Sequence, residues 1–343
     1  MRILFISSFN CLQCFADKGD THYLDLWNYL IDNNDSMSII CENEFSTEEI
    51  ERFNPEMIWC YHINQVHSVF YNILSYCKKL NVPICMLIDD FFHINFFESS
   101  HHDLVDAIVL KVKQDSYKQE YKNKFPHKII KSIDNHYVNI NKFHSWNSEK
   151  EYDIFIYGSR RCMLNRDNHS SVYNRYIQSK KCGFEFNFYE FRERLIRLLD
   201  CGRYKLNILP YAAANDCPIR GEELSRQINK AYIAVSTRCV VDKCMMKYIE
   251  ISSSDTVVLG DIPTDYKELF RGNMIEIRED MTDCEILEVV DSALEDRKGL
   301  ENRGKVFGKR IREMYGSDTL NYLNNFLEIC KEIKDEYYSS NHS

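Results

Sequence analysis

Short apolar bursts alternate, along the first half of the chain, with stretches whose apolar residues recur every three or four positions. The bursts are "RILFISS" from Arg2, "SMSIICE" from Ser36, "MIWCYHI" from Met57, "VPICMLI" from Val82 and "DAIVLKV" from Asp106. Between them, "THYLDLWNYLIDN" and "HSVFYNILSYCKKL" carry the helical period. This rhythm predicts a parallel sheet covered by helices on both faces, because strands buried on two sides read as continuous apolar runs and each parallel connection needs a crossover.

A polar break, "NKFHSWNSEKEY", stops the rhythm, which restarts with "YDIFIYGS" from Tyr152. The restart predicts a boundary near Glu149, with one Rossmann-like domain over residues 1–148 and a second over 149–316. In the second, a helix "FYEFRERLIRLLDCG", a strand "YKLNILPY", a helix "GEELSRQINKA", a strand "YIAVSTR" and a last strand "MIEIRED" follow in turn. The tail "SDTLNYLNNFLEICKEIKDEYY" reads as one long helix capped by Ser317 or Asp318, closing the second domain or crossing back to the first. The fold class is therefore α/β, two doubly wound domains in series.

Composition supports this division and narrows the partners. A chain of 343 residues is long enough for two cores of about 150 residues each. Lys and Arg number 43 against 52 Asp and Glu, a net charge of −9, which argues against a nucleic-acid coat and leaves room for local basic pockets. The 14 cysteines are scattered through apolar contexts such as "MIWC" and "VPIC", as reduced core residues are. Cys11 and Cys14 form one "CLQC" with no second pair to complete a zinc quartet, so no metal site is expected. No apolar run approaches a membrane span and no leader precedes a cleavage site, which predicts a soluble, cytoplasmic protein.

The stretch "VDKCMMKYIEISSSDTVVLGD" from Val241 carries the candidate chemistry: Asp242, seven intervening residues, Glu250, a small-residue turn and an apolar strand. If Lys243 to Ile251 is helical, carboxylates eight residues apart lie a little over two turns apart and about 80° around the axis, reaching different ends of one long ligand. Lys247, one turn before Glu250, either meets a phosphate or pairs with that carboxylate. Upstream, "YDIFIYGSRRCMLNR" ends a strand in Gly158 and Ser159 and follows it with Arg160, Arg161 and Arg166. That is either a diphosphate grip, since a guanidinium fork suits phosphate oxygens, or a solvated basic loop. From Arg160 to Lys205 there are 11 Lys or Arg against five Asp or Glu, inside an acidic chain.

Taken together, these residues resemble the nucleotide-sugar half of GT-B glycosyltransferases, closest to the group-one and family-four retaining enzymes, including the spore-maturation-protein-like branch. The resemblance implies two domains facing across a cleft and a nucleoside diphosphate sugar, UDP- or GDP-linked, as donor with no obligatory cofactor. It implies that Glu250 accepts the ribose hydroxyls, that Asp242 or the turn before it faces the donor sugar, and that Lys243, Gly158, Ser159, Arg161 and Arg166 belong to the donor-binding set. Arg160 and Lys247 would stabilise the leaving phosphate. Asp242 stands where the family usually has Glu, and "KCM" replaces its glycine-rich turn. No DxD triad occurs in the chain, so metal-bridged diphosphate handling is not encoded.

In the first domain, Lys18, Gly19, Asp20 and Thr21 resemble the small-residue turn that approaches the donor phosphate, with Gly19 as its glycine. "VPICMLIDDFFHINFF" ends a buried strand in Asp89, Asp90 and His93, at the carboxyl edge where doubly wound sheets hold ligands. There His93 orients a hydroxyl and Asp90 fixes its tautomer. The resulting reading is a glycosyltransferase moving a hexose or related sugar to a hydroxyl acceptor, with retention and without a metal. Two alternatives stand beside it: a phage-type enzyme glycosylating modified DNA bases, and a nucleotide-sugar-binding module that has lost catalysis. A dinucleotide oxidoreductase is disfavoured, because neither domain's first turn has GxGxxG.

Overall fold

The structure, a computed structural model, describes residues 1–7, 29–41, 46–61, 68–88, 103–111, 115–134, 136–159, 190–211, 218–238 and 244–341. The chain forms two compact units, Met1–Asn135 with Leu320–Ser343, and His136–Thr319. Each is built on a parallel sheet.

The first unit has six strands, β1 (Ile3–Ser7), β2 (Met37–Cys41), β3 (Met57–Tyr61), β4 (Ile84–Ile88), β5 (Ala107–Leu110) and β6 (Ile129–Ser132), in the order β2-β1-β3-β4-β5-β6. The apolar bursts became these strands because both sheet faces are covered: Ile3, Leu4, Ile58, Ile84, Cys85 and Ile108 are fully buried. Among the described residues, helices α1 (Thr47–Phe53), α2 (Ser68–Cys77) and α3 (Asp115–Lys124) connect these strands. Ser46 caps α1 by accepting from the Glu49 amide, and Asn54 ends it in the left-handed region at φ 51°. The lysine-rich stretch from Lys111 to Lys131 divides between α3 and the edge strand β6. "HKIIKS" is too short and too polar to announce itself by periodicity.

The second unit has five strands, β7 (Tyr152–Ser159), β8 (Leu206–Tyr211), β9 (Ala231–Val235), β10 (Val257–Gly260) and β11 (Ile275–Glu276), in the order β11-β10-β9-β7-β8. Its helices among the described residues include α4 (Glu190–Leu199), α5 (Gly221–Asn229), α6 (Met246–Ser253), the short α7 (Lys267–Phe270), α8 (Asp283–Glu295) and α9 (Arg297–Tyr315). One face of the sheet packs against α5, α6 and α9 through Tyr157, Leu224, Ile228, Tyr248, Ile251 and Phe307. The other packs against α4 and α8 through Ile156, Leu195, Leu199, Ile233, Ile286 and Val290.

The division between units falls at Asn135, not near Glu149. The polar segment that reads as a linker is stitched into the second unit. His136 Nε2 bonds the Cys244 carbonyl at 3.2 Å, and its Nδ1 pairs with the Tyr266 hydroxyl at 2.7 Å. Trp146 Nε1 donates to Ser225 Oγ at 2.9 Å, and Lys150 donates to the Asn229 and Ala231 carbonyls. The long tail helix, α10 (Asn321–Asn341), belongs to the first unit. It starts later than Ser317 or Asp318, because Ser317 is held elsewhere, its Oγ accepting from the Ile140 amide at 3.2 Å. Within the first unit α10 places Phe326 against Trp59, with ring centroids 4.8 Å apart, and buries Cys330 and Ile333 completely. Among the described residues, no helix is long and apolar enough to cross a membrane.

Candidate active site at the carboxyl edge of the second sheet

In the second unit β8 lies on one side of β7 and β9 on the other, so the connections leave β7 in opposite directions. The crevice beyond the carboxyl ends of β7 and β9 is a topological switch point, where open α/β sheets bind ligands. Four of the residues singled out from sequence lie here: Gly158, Ser159, Lys247 and Glu250.

Gly158 ends β7 with φ +123°, a backbone that side-chain-bearing residues rarely adopt. A Cβ at this position would sit 2.8 Å from Lys247 Cε and 3.1 Å from a terminal guanidinium nitrogen of Arg192. The dihedral calls for glycine, and the ends of two cationic side chains close on the space its missing side chain leaves. Ser159 follows as the last residue of β7.

Lys247 and Glu250 stand on α6, one turn apart. The Tyr157 hydroxyl donates to Glu250 Oε2 at 2.9 Å, and Lys247 Nζ lies 5.6 Å from the centre of the same ring. Tyr157 thus organises both charged groups from beneath. The helix itself begins at Met246, after an extended Met245 with ψ 149°. A helix from Lys243 to Ile251 is therefore corrected: Asp242 precedes α6, and the eight-residue spacing does not place both carboxylates on one helix.

The small-residue turn "SSSDT" anchors the helix. Ser252, Ser253 and Ser254 return their hydroxyls to the Tyr248, Ile249 and Glu250 carbonyls at 2.6–2.8 Å. Asn229 donates to the Ser254 carbonyl and Thr256 to that of Ile228. Asp255, 5 % exposed, takes a left-handed φ of 54° and pairs with Arg312 of α9 at 2.7 Å. These bonds fix the end of α6 and so the position of Lys247 and Glu250.

Beyond β9 the chain continues as Ser236, Thr237 and Arg238. The first two are buried, and among the described residues neither Ser236 Oγ nor Thr237 Oγ1 has a hydrogen-bond partner. Buried hydroxyls are nearly always satisfied, and leaving one unmade costs about 1–3 kcal/mol. Beside them, a Cβ on Gly260 would lie 1.7 Å from the Ser236 carbonyl oxygen, so the ends of β9 and β10 touch backbone to backbone. The Arg238 amide donates to Asp261 Oδ1 at 2.9 Å, and its Nε meets Oδ2 at 2.6 Å. Burial raises the Asp261 carboxyl above its ordinary range, against the pull of Arg238. Burial also pushes the Tyr248 hydroxyl well above its usual range; Asp261 adds to that rise and Arg192 opposes it. The Tyr248 hydroxyl donates to the Asp261 carbonyl at 2.6 Å.

Asp90, His93, Arg160, Asp242, Gly19, Arg161, Arg166 and Lys243 lie outside the described residues, as do Cys11 and Cys14. Among the described residues no three His, Cys, Asp or Glu side chains are placed to hold a metal. Sequence reasoning passed over Arg192, Tyr157, Ser236, Thr237 and Asp261. Arg192 was detectable, since it shares the apolar stripe of α4 with Leu195, Ile196 and Leu199, where an arginine is out of place.

No protein-family model matches the chain, and no curated protein matches it in sequence. Solved structures do match in fold. T4 phage BGT, in complex with its UDP-glucose substrate, aligns over 98 % of this chain and 100 % of its own, at 13 % identity and a TM-score of 0.59. Sucrose-phosphate synthase from Thermosynechococcus elongatus covers 99 % of this chain and 100 % of its own, at 10 % identity and TM-score 0.56. HepE from Anabaena, in complex with UDP and glucose, covers 97 % and 100 %, at 9 % identity and TM-score 0.55. The chain thus has the GT-B fold, two Rossmann-like α/β units in series.

Proposed function

We propose that this chain is a glycosyltransferase that moves a sugar from a nucleoside diphosphate sugar to a hydroxyl acceptor, holding the donor at the carboxyl edge of the second sheet. The observation that carries the reading is the meeting of Gly158, Lys247 and Glu250 at the switch point of a unit whose fold is shared with sugar-nucleotide-bound enzymes. Lys247 supplies a cation for the diphosphate beside a strand end with no side chain to obstruct it. Glu250, held by Tyr157, accepts the two ribose hydroxyls, which as vicinal donors suit a bidentate carboxylate. The unsatisfied hydroxyls of Ser236 and Thr237 are groups that a polar ligand in this crevice would complete.

UDP is the favoured carrier, since T4 phage BGT and HepE were solved with UDP-glucose and with UDP. Retention and independence of metal rest on the likeness of the Asp242 to Glu250 pattern to the retaining enzymes, with cationic side chains taking the leaving charge. Arg160, Arg161, Arg166, Ser159 and Lys243 belong to the same donor set. Gly19, Asp90 and His93 belong to the first unit and to the acceptor side.

A panel of nucleoside diphosphate sugars, read by thermal shift and by slow donor hydrolysis, tests the reading. Selective stabilisation by one donor with release of its nucleotide is expected. Transfer to hydroxymethylated DNA would single out the DNA-modifying alternative, and binding without turnover under any acceptor would reduce the protein to a binding module. No response to any donor would end the proposal.

A further inference from the structure

Two adjoining helices of the second unit carry opposite charge. α8 holds Asp283, Glu285, Glu288, Asp291 and Glu295 with no Lys or Arg, whereas α9 holds seven Lys or Arg against Glu301 and Glu313. Internal partners claim part of this charge: Asp283 pairs with Arg194, Asp291 with Arg203, Arg297 with Asp153 and Arg312 with Asp255. Among the described residues, Glu288 and Glu295 of α8 and Lys298, Arg303, Lys305 and Arg310 of α9 enter no ion pair. The helices meet at Asp296 and enclose an open groove of about 560 Å³ beside the edge strand β11. Its apolar lining is Ile275, Met281, Val289, Ala293 and Leu300, and Glu285, Glu288, Asp296 and Arg303 complete it. Three residues on from Arg303, Val306 is 64 % exposed, and Arg310 follows one turn later. Residues three and four apart share a helix face, so Arg303, Val306 and Arg310 form one ridge, an apolar tip between two cations. That tip stands about 4.5 Å along the axis from Arg303, which itself lines the groove.

We infer that this face pairs with a second copy of the chain about a two-fold axis: the ridge of Arg303, Val306 and Arg310 in each copy enters the groove of the other, setting Val306 on the apolar lining and the arginines against Glu285 and Glu288. A surface that holds a knob and a matching hole side by side is complementary to itself after a half turn, and closed two-fold pairs use one patch twice. The match is both apolar and electrostatic, since a basic ridge with an apolar tip meets an apolar groove rimmed by carboxylates. Charge decides the occupant. A polyanion laid along α9 would meet the unneutralised Glu288 and Glu295 of the adjoining helix, and a polycation laid along α8 would meet Arg303. A second copy offers each helix the sign it lacks. Single exposed apolar residues are ordinary on protein surfaces, and Val306 differs from them in having an apolar groove of opposite rim charge beside it. The inference does not depend on what the carboxyl edge of the sheet binds.

Sedimentation equilibrium on the full chain tests the pairing. The wild type is expected to form a reversible dimer that weakens as salt rises, because exposed charges are screened. One double variant makes the ridge acidic, Arg303→Glu with Arg310→Glu, and another makes the groove basic, Glu288→Arg with Ser292→Arg; all four positions are exposed. Each alone sets like charge against like and is expected to weaken its own dimer about tenfold or more. Mixed in equal amounts, the two variants restore both contacts and are expected to pair within about threefold of the wild-type affinity. If either double variant does not fold, Val306→Glu at the exposed tip, a good helix former, is expected to weaken the dimer about fivefold or more. A wild type that stays monomeric up to its solubility limit, a dimer that none of these changes weakens, or a mixture that stays monomeric would overturn the inference. Heparin binding by a monomeric wild type, lost in the acidic-ridge variant, would overturn it in favour of a polyanionic partner.

Discussion

The two units share a strand order, with the second strand outside the first and the third to fifth on its other side, but their described residues bury very different chemistry. Among the described residues the first unit buries one polar or charged side chain, Lys111, while the second buries thirteen, from His136 and Arg192 to Asp261. Most of those of the second unit gather at two places, the carboxyl edge by β7, β9 and β10 and the anchor of α6. The described strands of the first unit pack through apolar side chains. The additional polarity of the second holds one helix, and the charged groups on it, at a fixed place over a strand end. Polar burial of that density is costly unless each group is satisfied, so its concentration marks where a ligand is expected.

The largest test of this contrast removes the anchor. Arg312→Met leaves Asp255 buried without its partner and is expected to cost ~3–5 kcal/mol. Hydrogen exchange resolved by peptide should show the loss in residues 136–319 and leave the first unit's protection unchanged; equal loss in both would break the distinction between units. Next, Gly158→Ala forces a side chain into φ +123° against Lys247 and is expected to cost ~1–3 kcal/mol in urea unfolding. UDP binding should fall with it, because Lys247 must move.

Glu250→Ala should leave the urea midpoint nearly unchanged while weakening UDP binding by ~1.5–3 kcal/mol, the worth of hydrogen bonds to a charged group. Tyr157→Phe should weaken it less, by ~0.5–1.5 kcal/mol, since the carboxylate stays and loses only its holder. Unchanged UDP affinity in a folded Glu250→Ala protein would remove the ribose role.

The smallest effect belongs to the first unit. Glu56 pairs with Lys334 of α10 at 2.7 Å and its carboxyl is held down to about 2, chiefly by that bond and then by the Arg2 amide. A lowered folded value means stability present above about 4.5 and lost as pH falls toward 2. Lys334→Met should cost ~0.2–1 kcal/mol at pH 7, with the difference shrinking between pH 4.5 and 2. A cost that does not change with pH would mean that Lys334 acts through its aliphatic stem.

Much of this fold can be read in the chain because parallel strands buried on both faces announce themselves as apolar runs. β1, β3, β4, β5, β7, β9 and β10 all lie within such runs. β6 does not, since an edge strand with a half-buried lysine has no pattern to show. α8 and α9 were passed over although Thr282 and Glu285 form a reciprocal capping box, a local signal independent of periodicity. At the candidate site, Gly158, Lys247 and Glu250 were legible as residue types at a spacing. Their meeting with Tyr157 and Arg192 was not, because it depends on two helices from opposite faces reaching the same strand end. The boundary near Glu149 misled for a related reason: polarity marks a linker only when nothing bonds it, and "NKFHSWNSEKEY" is bonded throughout.

One connectivity has a consequence in time. The ribosome delivers residues 136–319, the whole second unit, before it delivers α10, whose Phe326, Cys330 and Ile333 complete the core of the first. Units of a chain generally fold as they emerge. The second unit can therefore close during synthesis, while the first waits, with Phe5 and Trp59 lacking the ring of Phe326 that later covers them. The earliest segment made is the last to finish, and a nascent chain halted before Leu320 would present a folded second unit joined to an incomplete first.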